Sequence, residues 1–137
     1  MVASLALPGA VHGCSSPTAP PPPPGGGTRL ILSYDHFAQN VSPVLIQHGC
    51  DAVGDCHGGG IRGSLQLSPP GAKDTRFDFD QVVLQVSASN PDASPILTEP
   101  LAIAAGGTPH GFKPFATTSD SGYQAIRGWI QEGVPQP

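Results

Sequence analysis

The chain has 137 residues, about the size of one domain. Only 12% of them are charged, the formal net charge is −4 and there is no basic stretch, so nucleic acid is excluded as a partner. Seventeen Pro and eighteen Gly make the chain rich in loops, and no run of about 18 apolar residues predicts a membrane-spanning helix.

Residues 1–13 are apolar and small, ending in Val11-His12-Gly13, and they read as an export signal. Together with Cys14 they resemble a bacterial lipobox, in which the cysteine is lipidated and becomes the first residue of the mature protein. Gly13 fits the small residue before the cut, and His12 departs from the pattern. Residues 14–33 then form a tether. The proline run within Pro17–Gly27 predicts an extended polyproline II rod and the glycines after it a swivel. At about 3 Å per residue the tether spans some tens of Å. The expected location is the cell envelope, periplasmic or anchored to an outer membrane through the lipid on Cys14. An ordinary N-terminal segment with a free Cys14 is the other reading.

Residues 34–133 carry the folded domain, with 134–137 as a tail. Ser33 or Asp35 can cap a first helix, along which Phe37, Val41, Val44, Leu45 and His48 recur at near-helical spacing. Pro43 predicts a bend or a late start, and Gly49 a stop. Leu65-Gln66-Leu67 alternates briefly before a Pro/Gly turn. Phe77–Val86 fits both periods; Phe79, Val82, Val83 and Val86 favour a helix. Ser94–Leu101 predicts a short helical turn with Pro95 at its first position. A Gly/Pro loop over 104–111 presents His110. Ser119 or Asp120 caps a last helix with Tyr123, Ile126, Trp129 and Ile130 on its apolar face and Gly133 after it. Asp74, Asp78, Asp80 and Glu99 read as capping and solvent-facing carboxylates. No Gly-x-Ser-x-Gly or similar nucleophile motif is present, and no enzymatic turnover is expected.

The chemistry is concentrated in Cys50, Cys56 and His57. Two nearby cysteines followed at once by a histidine suit a c-type haem: the thiols add to the vinyl groups and the imidazole reaches the iron. Five residues separate the cysteines here, where the usual attachment motif has two. A structural Cys50–Cys56 disulfide is the main alternative outside the cytoplasm. A metal site from Cys50, Cys56, His57 and His110 is a third, although adjacent Cys56 and His57 suit one tetrahedral ion poorly.

The arrangement resembles the class I cytochrome c domain, and more closely the cytochrome c-like domains of exported proteins from planctomycetes and myxobacteria. The resemblance lies in Phe37, Val41, Pro43, Leu45, Cys50, Cys56 and His57, in Ser94 to Leu101, and in Tyr123 to Gly133. It implies a small, mainly α domain with N- and C-terminal helices packed together and long Gly/Pro-rich loops. It also implies one covalently held haem c, an electron-transfer role and a redox partner protein. Class I cytochromes usually use methionine as the second axial ligand, but the only methionine is Met1, inside the segment expected to be removed. That leaves His36, His48 and His110, of which His110 lies where such domains carry the distal ligand. The expected iron ligands are therefore His57 and His110. A haem-free relative used for binding, with a Cys50–Cys56 disulfide, is the alternative.

Overall fold

The structure, a computed structural model, describes residues 29–60 and 63–136. The expected export signal, Cys14 and most of the tether lie outside the described residues. What is described is a small, mainly helical domain with one two-stranded sheet. Among the described residues no helix is long and apolar enough to cross a membrane.

The first helix, α1 (34–47), starts where Ser33 Oγ accepts the His36 N–H at 3.1 Å. Its middle, Phe37–Val41, is a π-helical turn in which the Ser42 N–H reaches back to the Phe37 carbonyl. The next residue is Pro43, which has no N–H to continue the ladder. Pro43 thus neither breaks the helix nor starts it; the wider turn before it takes up the mismatch. Phe37 and Val41 are fully buried and Leu45 nearly so. The helix ends in a Schellman turn: the Gly49 N–H bonds the Ile46 carbonyl, the Cys50 N–H bonds the Leu45 carbonyl, and Gly49 has φ +67°. The helix end therefore fixes where Cys50 begins.

Helix α2 (Thr75–Val83) is capped by Asp74, whose Oδ1 accepts the Arg76 and Phe77 N–H groups. It buries Asp78, Phe79 and Val82. The short α3 (Pro95–Thr98) begins at Pro95, where a missing N–H costs nothing. Helix α4 (Ser121–Gln131) is capped by Asp120 through the Gly122 N–H at 2.9 Å. It buries Tyr123, Ile126, Trp129 and Ile130, the apolar face expected from the sequence. Gly133 follows the helix but does not take a left-handed turn there. A Cβ at Gly133 would sit 2.8 Å from Leu32 Cδ2, so the glycine serves a close approach to the strand opposite.

The first and last helices pack together around aromatic rings. Phe37 and Trp129 lie 5.4 Å apart, Phe79 meets Phe37 edge-on at 5.5 Å, and the Trp129 Nε1–H donates to the Ser33 carbonyl at 2.9 Å. Truncating Trp129, which is fully buried, removes its contacts with Phe37 and Ser33; about 3–5 kcal/mol is the usual cost of such a change.

The chain ends add a feature the sequence did not suggest. Strand β1 (Arg29–Ile31), expected as tether, pairs antiparallel with β2 (Val134–Gln136), expected as a tail, with Arg29 opposite Gln136 and Ile31 opposite Val134. The folded unit therefore extends past residues 34–133 at both ends.

Candidate functional site

Cys50, Cys56, His57 and His110 all line one cavity of about 560 Å³. That size falls within the range of roughly 300–1,000 Å³ in which proteins hold small molecules and cofactors. Its walls are largely apolar, with Leu45 from α1, Ile96 from α3, Ile126 from α4 and Phe115 from the loop before α4. All four are buried core residues. The cavity thus opens into the packing between helices.

The loop 50–58 is folded back on itself. The His57 N–H bonds the Cys50 carbonyl at 3.0 Å and the Gly58 N–H bonds the Ala52 carbonyl at 3.0 Å. A Cβ at Gly58 would stand 1.8 Å from the Asp51 carbonyl oxygen, so only glycine fits this crossing. The His57 carbonyl accepts the Leu67 N–H, and the His57 Nδ1 lies 3.1 Å from the Leu65 carbonyl. Leu65 and Leu67 are both buried, and the alternation between them brings the chain past His57 twice.

Beneath the loop lies a charged group that the sequence reading missed. The Lys73 ammonium bonds Asp51 at 3.0 Å and Asp78 at 2.8 Å, and the other Asp78 oxygen accepts the Ser68 N–H at 2.6 Å. Both carboxylates are almost completely buried. Asp78 is thus not the solvent-facing group expected, because the α2 face it occupies packs inward against Ser68 and Lys73. Asp74 does cap, and Asp80 is exposed with Arg76 one turn away. Glu99 is half-buried and lines the cavity.

His110 comes from the opposite side. Its loop leaves a 3₁₀ turn, Ile103–Ala105, through Gly106 at φ +98°. The Gly107 N–H bonds the Ala102 carbonyl, and a Cβ at Gly107 would stand 1.9 Å from the Leu101 carbonyl oxygen. The loop base is held where Ala102 and Phe115 bond at 2.8 Å, and the Thr108 N–H bonds the Thr98 carbonyl at 2.9 Å. The His110 Nδ1 lies 2.7 Å from the Phe112 carbonyl. The same nitrogen is 3.3 Å from the Phe112 N–H, a longer contact.

The two imidazoles face one another with ring centroids 6.0 Å apart and planes 15° from parallel. A carbonyl oxygen only accepts, so a proton on each Nδ1 would satisfy these contacts and leave the lone pair on Nε2, while the Phe112 N–H meets the same His110 nitrogen. Backbone carbonyls commonly set metal-binding histidines in this way. One metal ion about 2 Å from each Nε2 would hold two imidazole centroids on the order of 6 Å apart. The observed centroid separation is of that size.

Both cysteines are half-buried free thiols. The Cys50 thiol is pushed up to about 11, first by burial, then by the charges of Asp51 and Cys56. Among the described residues no three His, Cys, Asp or Glu side chains gather closely enough to hold a metal ion. The other described histidines are elsewhere. His48 meets the edge of Phe115 at 5.3 Å, and His36 pairs with Glu132 at 2.6 Å across the α1–α4 contact. Neither lines the cavity.

Architecture and site together describe a small helical domain with a largely apolar cavity whose lining includes two near-parallel imidazoles. No family model, curated protein or solved structure matches this chain.

Proposed function

We propose that the chain is an exported, membrane-tethered cytochrome c-like domain of class I type. In this reading it transfers electrons through one haem held by Cys50 and Cys56, with His57 and His110 as axial ligands. The observation that carries the reading is the near-parallel His57–His110 pair at 6.0 Å, set over a cavity that both cysteines line. Packing of the first helix on the last is consistent with it. Haem would supply the redox-active iron. The chain would supply the rest: two thiols for thioether bonds, two imidazoles held by the Leu65 and Phe112 carbonyls, and apolar walls that keep water from the centre. No residue here is assigned a catalytic step, and the partner would be another redox protein. Cys14, if lipidated, would keep the domain at a membrane surface.

Expression with a haem-attachment system tests the reading. The expected result is a low-spin c-type absorption spectrum, lost in a Cys50→Ser, Cys56→Ser double variant that is still exported. Wild-type protein from such a host with no haem band, and with a Cys50–Cys56 disulfide by peptide mass, would replace it with the haem-free binding domain. Acyl chains in the intact mass, absent from Cys14→Ser, check the tether.

A further inference from the structure

Lys113 does not line the cavity, yet it reaches across the base of the loop that carries His110. Its ammonium donates to the Glu99 carbonyl at 2.6 Å and to the Thr108 carbonyl. Glu99 closes helix α3, so its carbonyl belongs to the set that a helix leaves without an internal partner. Thr108 stands two residues before His110. Lys113 therefore joins the rigid end of a helix to the start of the histidine's turn. Among the described residues, the backbone hydrogen bonds of this loop to other segments stop at Thr108 and resume at Phe115. In between, His110 is held by its own turn through the Phe112 carbonyl.

We infer that Lys113 is a positioning residue for His110: the ammonium clamp holds the imidazole at its distance from His57. The inference rests on the bis-histidine reading above and adds what sets the second ligand. A positive charge on two carbonyl oxygens makes a stronger bond than a neutral donor, which suits a tie that must hold a loop otherwise free over several residues. Removing an outer tie of this kind typically weakens metal ligation about 10–100-fold.

The test uses full-length holoprotein and cyanide as the probe of the second axial position. Cyanide must wait for His110 to leave, so Lys113→Met is expected to bind it about 10–100-fold faster than wild type. Lys113→Arg, which keeps a charged donor, is expected to return toward the wild-type rate. Covalent haem at Cys50 and Cys56 stays unchanged in both. Lys113→Gln, with a neutral donor, replaces the Met variant if that one fails to fold, and is expected to fall between the two. In haem-free protein, the same loss is read as faster exchange of the Thr108 and Phe115 amides, which bond the Thr98 and Pro100 carbonyls. A Met or Gln holoprotein that binds cyanide at the wild-type rate overturns the inference and leaves the haem reading standing. Wild type that takes up no haem overturns that reading, and unchanged amide exchange in the variant then overturns the clamp as well.

Discussion

His57 stands on a loop closed on itself, pinned by the Leu67 N–H and underlain by a half-buried Lys73 between two buried carboxylates. His110 stands on a loop fixed at its base and crossed by a half-buried lysine, with the tip left to its own turn. Both loops use a glycine whose Cβ would strike a backbone oxygen, and both point an imidazole Nδ1 at a carbonyl. They differ in how the surrounding protein holds them. A charge buried with partners resists movement because any opening strands it. A lysine reaching carbonyls at the surface can let go and be solvated. The first histidine is thus held more firmly by its surroundings than the second.

The largest separation between the loops is expected when each lysine is removed. Lys73→Met leaves Asp51 and Asp78 buried without their cation, and about 3 kcal/mol of stability is expected to be lost, the low end for a broken buried pair because Lys73 keeps some exposure. Lys113→Met is expected to cost about 1 kcal/mol, in the range of a net hydrogen bond. Urea unfolding of the two variants measures the difference; equal losses would erase the contrast between the two loops.

Next come the two glycines. Gly58→Ala and Gly107→Ala each force a backbone shift that no rotamer relieves, at about 1–3 kcal/mol. The sharper readout is place. Amide exchange is expected to quicken around Cys56 and His57 in the first variant, and between Thr108 and Phe112 in the second.

A smaller effect concerns reactivity. In haem-free protein at pH 8, Cys50 is expected to alkylate roughly 100-fold more slowly than an unburied thiol. Its pKa rises from 9.0 to about 11, and the thiolate fraction falls in proportion. Urea restores the ordinary rate if burial is the cause.

The least effect is expected far from both loops. Arg127 bonds Asp92 through its Nε and Nη2, which holds the Asp92 carboxyl below its usual range. A lowered carboxyl pKa stabilises the fold above the unfolded-state value, and the gain fades as pH falls through the folded one. The pair is exposed, so Asp92→Asn is expected to remove only a slight acid-side slope from the melting curve.

Local signals carried most of the helical frame. Asp120, Ser33, Pro95 and Gly49 each act within a few residues, and the α4 face repeats at helical spacing, so the chain order alone reveals them. The choice of a helix over 77–86 also follows the structure, since α2 spans Thr75–Val83. The π turn was not legible, because Pro43 signals a disturbance without saying whether the helix breaks or widens. Neither was the β1–β2 pairing, which joins three-residue strands from opposite chain ends with no alternation and a proline in one of them. At the site, Cys50, Cys56 and His57 stand out by residue type and order, and His110 by its Gly/Pro loop together with the resemblance; all four line the same cavity. Asp51 and Lys73 were not, because the meeting of distant charges under a loop has no periodicity. Lys113 was equally silent: its partners are carbonyls, which every residue has.

The β1–β2 ladder also decides where a mechanical load would enter the domain. Its outer rung joins Arg29 to Gln136, and the next two lead inward to Ile31 and Val134. A pull on the chain ahead of Arg29 would open these rungs one at a time, as a zipper opens, so little force is needed at each. Beyond them the strain meets Ser33, where the Trp129 indole holds the carbonyl and the ring is wedged against Phe37. The load path therefore ends in the α1–α4 contact. Neither histidine loop lies along it, so a domain tugged at its N-terminal side would give up its two short strands while the cavity kept its shape.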